Sequence, residues 1–327
     1  MRALRLLFVA PGRVELAPVD LPDPGAGQLL VRTRYSGIST GTELLAYRGL
    51  LDPDLPLDER IGALGGTFRP PFPYGYSCVG EVEGPAGPLP PGTLVFAFHP
   101  HQDRFVVGAD DVVPLPRGTD PRPATLLPFV ETALQLSLDA GQVAQETVAV
   151  LGLGVVGVLT ALLLQRAGAT VVAADPAADR RELAGRLGIA AVDPAELPRH
   201  LPPAGVPLLL ELSGSPTALA GALDLLAHEG TALVGSWYGV QQVGLPLGGA
   251  FHRRRLTIRS SQVSTIPAAL GARWDVGRRR QVAVGLLAEL PLAALATTEF
   301  PFEEAAAAYR ALDAREPGVV HVALRYQ

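Results

Sequence analysis

Val148-Ala149-Val150-Leu151-Gly152-Leu153-Gly154-Val155-Val156-Gly157 is an apolar, β-rich run that ends in G-x-G-x-x-G and opens into a segment of helical length, Val158–Ala167. Strand, glycine turn and helix in that order make a dinucleotide-binding motif, because each glycine has a separate physical task. Gly152 permits the tight turn, Gly154 lets the backbone approach a pyrophosphate, and Gly157 lets helix and strand pack closely. Leu153, Val155 and Val156 carry the intervening N–H groups at the positive end of the helix dipole. A second apolar run, Val171-Val172-Ala173-Ala174, ends at Asp175, 18 residues beyond the last glycine, where a carboxylate accepts hydrogen bonds from both ribose hydroxyls and repels a 2′-phosphate. NAD(H) is therefore expected over NADP(H). Arg180 and Arg181 follow closely and leave a phosphate-holding alternative open.

Outward from this motif, 327 residues exceed the size of one hydrophobic core and imply two domains. A hydrophobic fraction of 48% against 18% charged residues describes a well-buried globular chain and excludes a disordered one. The net charge of −5 gives no electrostatic case for a nucleic-acid partner. Arg253-Arg254-Arg255 reads as a solvated loop or as a set of phosphate and ion-pair contacts. The single cysteine, Cys78, excludes an intrachain disulfide and a Cys-rich zinc module, and in Gly75-Tyr76-Ser77-Cys78-Val79-Gly80 it reads as a small buried hydrophobe. Met1–Ala10 lacks the length and cleavage site of a signal peptide. No apolar run reaches the ~18 residues of a membrane span, so a cytoplasmic protein without a membrane partner is expected.

From Met1 to about Val113 short strands are broken by Pro and Gly: Ala3–Ala10, Arg13–Pro18, Gln28–Ser36, Gly80–Val82, Leu94–Phe98 and Arg104–Val107. That is an all-β, barrel-like pattern. From about Ala124 the rhythm changes to alternating strand and helix, the signature of a parallel sheet. The strands are expected at Thr147–Leu151, Thr170–Ala174, Ala190–Val192, Pro207–Leu212, Thr231–Gly235 and Leu256–Ser260. An amphipathic segment Gln281–Leu290, then Phe302–Leu312 and a last strand Val319–Arg325, complete the chain.

An N-terminal β region, the mid-chain nucleotide motif and the ending Phe302-Glu303-Glu304-Ala305…Ala308-Tyr309…Pro317-Gly318-Val319-Val320 together resemble the medium-chain dehydrogenase/reductase superfamily over essentially the whole length. Tyr35-Ser36-Gly37-Ile38-Ser39-Thr40-Gly41-Thr42-Glu43 and Ser236-Trp237-Tyr238-Gly239 look most like its bacteriochlorophyllide a dehydrogenase and threonine-dehydrogenase-like branches. The resemblance implies an α/β protein: a GroES-like β-barrel catalytic domain, residues 1–128 and 273–327, plus a Rossmann doubly wound parallel sheet domain, residues 129–272. It also implies a homodimer or tetramer joined through the cofactor domains.

Zinc enzymes of the family hold their metal with a Cys, the His of Gly-His-Glu and a third Cys or Glu. Here the first two positions read Ser39 and, in Gly75-Tyr76-Ser77, Tyr76; near Pro128–Glu131 the one candidate ligand is Glu131. A neutral hydroxyl and a phenol are poor zinc ligands beside thiolate and imidazole, so no zinc is expected. Hydride transfer to a carbonyl then needs a side-chain donor. By resemblance Tyr76 and Ser39 face the reacting centre, with Thr42 and Glu43 just beyond. Tyr76 is either a general acid, its pKa drawn toward neutrality, or an aromatic gap-filler. Glu43 either relays a proton and orders Thr40–Thr42 or is a helix N-terminal carboxylate. His99 and His101, in His99-Pro100-His101-Gln102-Asp103, belong to a tight turn, a metal site or the pocket wall, and His99 is the preferred catalytic candidate of the two. Phe98, Glu131 and Tyr238 are candidate pocket residues. Ser213, Gly214, Gly235, Ser236 and Trp237, at strand ends, are expected beside the nicotinamide, with loop packing as the alternative for Trp237 and Tyr238.

The function expected from this reading is a zinc-independent, NAD(H)-dependent alcohol dehydrogenase or carbonyl reductase acting on a small molecule. A quinone or enoyl reductase, and a catalytically silent nucleotide-binding redox sensor, are the alternatives.

Overall fold

The computed structural model describes residues 1–84 and 87–327 of the chain. It divides into two compact units, Met1–Pro128 with Leu287–Gln327, and Phe129–Leu286.

The second unit is built on a six-stranded sheet in the order Ala190–Val192, Thr170–Ala174, Thr147–Leu151, Val206–Glu211, Leu226–Val234, Thr257–Ser260. Every neighbouring pair is parallel, so the order reverses between Thr147–Leu151 and Val206–Glu211, the point where such sheets open for a dinucleotide. The two central strands are apolar and buried nearly throughout, as parallel strands covered on both faces must be. The helix Val155–Arg166 begins directly after Gly154, three residues before the expected Val158. A 14-residue helix, Leu127–Ala140, lies in a stretch for which no helix bounds were expected.

The expected helix Gln281–Leu290 is instead Val276–Leu286, because Asp275 Oδ1 accepts the Arg278 N–H at 2.7 Å and sets an earlier start. That helix belongs to the second unit, so the boundary falls after Leu286 rather than at 272. Its Arg279 is buried and donates to Gln135 Oε1 at 2.7 Å, an anchor that a run of three arginines hides from a hydropathy reading. In Arg253-Arg254-Arg255, Arg254 donates to the Asp224 and Leu226 carbonyls and Arg255 pairs with Glu229 at 3.0 Å.

The first unit holds a seven-stranded sheet organised on Gln28–Ile38, which pairs antiparallel with Cys78–Glu83, Arg104–Gly108 and the closing strand Val322–Arg325. The closing strand starts at Val322 and not at Val319. A three-stranded sheet of Arg13–Asp20, Arg2–Ala10 and Phe72–Pro73 completes the unit. Its core is aromatic: Phe8 stacks on Phe72 at 5.2 Å and meets Tyr309 edge-on at 5.4 Å. Pairs of this geometry add about 0.5–1.5 kcal/mol each beyond their buried area. Among the described residues no helix is long and apolar enough to cross a membrane.

Candidate active site

In the second unit the glycine turn is fixed from behind. Gly152 sits at φ +96°, and a Cβ there would stand 2.7 Å from the Leu212 carbonyl oxygen, so a side chain is barred by conformation and by space. Its N–H donates to the Ala174 carbonyl at 2.8 Å, and the next N–H, Leu153, donates to Asp175 Oδ2 at 2.8 Å. Gly154 precedes the helix without any side-chain cap, which leaves the first-turn N–H groups of Val155, Val156 and Gly157 without intrahelical partners and available to an anion.

Asp175 Oδ1 accepts the Ala177 N–H at 2.9 Å. A carboxylate offers about four acceptor sites, so two remain after the Leu153 and Ala177 bonds. Arg181 is committed: Nη1 donates to the Asp175 and Pro176 carbonyls at 2.7 and 2.8 Å and lies 3.5 Å from Asp193. Arg180 reaches the other way, with Nη1 3.5 Å from where a Cβ on Gly154 would stand.

Glu211 ends the strand beside the sheet reversal and is fully buried. Its Oε1 accepts both the N–H (2.8 Å) and the hydroxyl of Ser213, and its Oε2 accepts the Tyr238 hydroxyl. Gly214 N–H donates to Ser236 Oγ at 2.9 Å. The two strand-end segments are thus one network, held by a carboxylate that the sequence reading passed over. Tyr238, expected in the pocket, has its hydroxyl turned to Glu211, and burial together with that carboxylate pushes its pKa up. Trp237 is 44% exposed.

In the first unit the structure brings together Tyr76, Ser39, Thr42 and Glu43. Tyr76 Oη donates to Ser39 Oγ at 2.6 Å and faces Thr42 Oγ1 at 3.5 Å. The expectation that its pKa moves toward neutrality is corrected: burial pushes the phenol up to about 12, against a lowering by the Ser39 and Thr42 hydroxyls. Glu43, in the first turn of the helix Thr42–Tyr47, is fully buried. Its Oε1 accepts the Ser39 N–H at 2.8 Å, while Oε2 faces His101 Nε2 at 2.9 Å and accepts the Tyr309 hydroxyl. On the far side of the imidazole, His101 Nδ1 meets Ser36 Oγ at 2.6 Å, and Ser36 meets Tyr326 Oη at 2.8 Å. With Glu43 as carboxylate, the assignment that gives each bond one donor runs from Tyr326 to Ser36 to Nδ1, and from Nε2–H to Glu43.

His99, preferred over His101 from sequence, is not part of this cluster. Its ring stacks on Phe105 at 3.9 Å, its Nδ1 meets the Pro100 carbonyl at 2.9 Å, and burial lowers its pKa to about 4. Phe98 meets Phe96 edge-on at 4.9 Å. Cys78 is buried with its thiol directed to the His99 and Pro100 carbonyls, and burial raises its pKa.

The residues at the family's metal positions do not fit zinc. Ser39 and Tyr76 hydrogen-bond to each other, the phenol resists ionisation, and Glu131 has guanidinium neighbours, Arg279 Nε at 3.7 Å and Arg280 Nε at 3.5 Å. A cation would compete there with two fixed positive charges. Among the described residues no three His, Cys, Asp or Glu side chains converge as a metal set.

Residues 155–274 match the family model for zinc-binding dehydrogenases. The chain is 26% identical to D-guloside 3-dehydrogenase of Escherichia coli K12, over 86% of this chain and 87% of that protein. It is 32% identical to 2-desacetyl-2-hydroxyethyl bacteriochlorophyllide A dehydrogenase of Cereibacter sphaeroides, over 36% of this chain and 31% of that one. A zinc-binding dehydrogenase from Sinorhizobium meliloti, solved with NADP, superposes with a TM-score of 0.77 at 20% identity, covering 99% of each chain. Two-unit fold, glycine turn and relatives of matching length agree: the chain is a nicotinamide-dependent oxidoreductase similar to the medium-chain dehydrogenase/reductase superfamily.

Proposed function

We propose that this protein is a zinc-independent, NAD(H)-dependent alcohol dehydrogenase or carbonyl reductase for a small-molecule substrate. The observation that carries the reading is the Tyr76–Ser39 hydroxyl pair, 2.6 Å apart, at two positions where zinc relatives place metal ligands. A bound nicotinamide supplies or takes the hydride. In reduction Tyr76 gives its proton to the carbonyl oxygen and is reprotonated from solvent, Ser39 orients the phenol, and Thr42 offers a second hydroxyl. Glu43 orders the turn that carries Ser39. A phenol held as a neutral donor does in this scheme what a Lewis acid does elsewhere, by stabilising charge that develops on oxygen. A homodimer or tetramer is part of the proposal, because Thr257–Ser260 is the last strand of its sheet and Thr257, Arg259 and Ser260 are exposed on it.

Two measurements test the cofactor and metal assignments. Fluorescence titration is expected to show NADH bound at least about tenfold more tightly than NADPH. The phosphate forfeits two ribose hydrogen bonds to Asp175 and meets its charge, each effect on the order of 1 kcal/mol. Equal affinity, or tighter NADPH, overturns the preference and hands control of the site to Arg180. Elemental analysis of protein purified without chelator is expected to find well under one zinc per chain. Stoichiometric zinc overturns the metal-free reading.

A further inference from the structure

We propose that His101 is the positioning residue of the Tyr76–Ser39 pair, fixing both partners at once; the proposal rests on the reading of that pair as the proton-handling site. One arm runs through hydrogen bonds. His101 Nε2 meets Glu43 Oε2 at 2.9 Å, and the other oxygen of the same carboxylate takes the Ser39 N–H at 2.8 Å, so the ring sets where the Ser39 backbone stands. The second arm is steric. Gly75 precedes Tyr76 at φ +102°, and a Cβ there would lie 2.5 Å from His101 Cδ2, so the ring packs against the backbone that carries the phenol. The backbone of His101 joins the same segment, its N–H donating to the Tyr74 carbonyl at 3.1 Å.

The ring itself has little freedom. It is fully buried, Ser36 meets its Nδ1 at 2.6 Å, and Tyr326 fixes Ser36 at 2.8 Å. Tyr309 approaches the carboxylate oxygen that His101 also uses, so Glu43 is held from two sides and cannot follow a displaced ring. Satisfied buried networks of this kind specify one geometry. A metal enforces such a geometry through its coordination sphere; in this chain an imidazole and a carboxylate do it from behind the two hydroxyls.

The test reads Tyr76 directly and needs no substrate. With ¹³Cζ-tyrosine labelling, the Tyr76 resonance is assigned by its loss in Tyr76→Phe, and Tyr35 serves as a control. His101→Leu keeps apolar volume and removes both nitrogens. The Tyr76 resonance is expected to shift in His101→Leu, to shift the same way but less in the milder Ser36→Ala, and to return toward wild type in His101→Gln, which restores one donor toward Glu43. A Tyr76 signal unmoved in folded His101→Leu, or in Ser36→Ala should His101→Leu not fold, overturns the proposal. Turnover of Tyr76→Phe tests the proton-handling reading separately, so either can fail alone.

Discussion

Tyr76→Phe is expected to lower turnover about 10²-fold or more while leaving NADH affinity unchanged, the range for removing a general acid or an oxyanion donor. The argument is geometric. The phenol is the donor in a 2.6 Å bond to Ser39, so it already carries a directed proton that a substrate oxygen can take over. Phe keeps the ring, which packs edge-on against Tyr74 at 6.3 Å, and removes that proton. The lost bond is worth about 1 kcal/mol to folding, too little to unfold the unit. Because burial holds the phenol near 12, it remains protonated through any ordinary assay pH, and loss of this donor cannot produce a neutral-range inflection in the rate. The same shift favours the folded state while the phenol is protonated. That stability is complete below the unfolded value of about 10 and is lost as pH rises from 10 toward 12. Ser39→Ala is expected to have a smaller effect, since its hydroxyl orients and does not donate to the substrate. Wild-type turnover in folded Tyr76→Phe removes the phenol from the chemistry.

The glycine turn of the second unit and the Tyr76 cluster of the first differ in how much of them a sequence can reveal. The glycine turn is encoded locally: Gly152, Gly154 and Gly157 lie within one turn, and Asp175 follows the next strand, so their spacing carries their geometry. The central strands of that sheet are legible as short apolar runs, whereas Leu226–Val234 begins five residues before the expected Thr231, across the polar His228-Glu229-Gly230, and Thr257–Ser260 carries a single apolar residue. The Tyr76–Ser39–Glu43–His101 cluster is assembled from far along the chain. Glu43 meets His101 across 58 residues and Tyr309 across 266, and no periodicity relates them. A lone histidine in a Pro-containing turn reads alike whether its ring faces Glu43 or stacks on Phe105, so the preference for His99, drawn from its place after Phe98, carries nothing about which ring meets Glu43; that ring is His101. Burial of charge is equally hidden. Glu211 looks like an ordinary strand-end acid and Arg279 like one of three solvated arginines, yet each is an interior anchor. The expected domain boundary at 272 fails together with Arg279, since the helix that carries it looks free to leave the cofactor unit.

Gly157→Ala is expected to lose stability as well as NADH affinity and Gly154→Ala affinity alone, and the contrast separates a site built for a ligand from a turn built for packing. At Gly157 an added Cβ would stand 1.9 Å from the Gly152 carbonyl oxygen, a distance no adjustment of a side chain relieves. Gly152 cannot yield, because its N–H is held by Ala174 and its Cα faces the Leu212 carbonyl. The helix start must retreat instead, which as overpacking costs about 1–3 kcal/mol and lowers the melting temperature by about 2–4 °C per kcal/mol in a unit of this size. A retreat on the order of 1 Å also carries the first-turn N–H groups away from the pyrophosphate, and an error of that size is worth about 10²-fold. At Gly154 the nearest protein atom to an added Cβ is Arg180 Nη1 at 3.5 Å, an ordinary contact at the end of a flexible side chain. The Gly154→Ala variant therefore folds with an unchanged melting temperature. If a dinucleotide pyrophosphate lies against that backbone, the methyl group occupies ligand space, and NADH affinity falls by about tenfold or more, 1.4 kcal/mol or above. Calorimetry and NADH fluorescence on the two variants decide the matter. Undiminished NADH affinity in Gly154→Ala means the glycine turn does not approach the phosphates, and an unchanged melting temperature in Gly157→Ala means the helix start is not locked to Gly152.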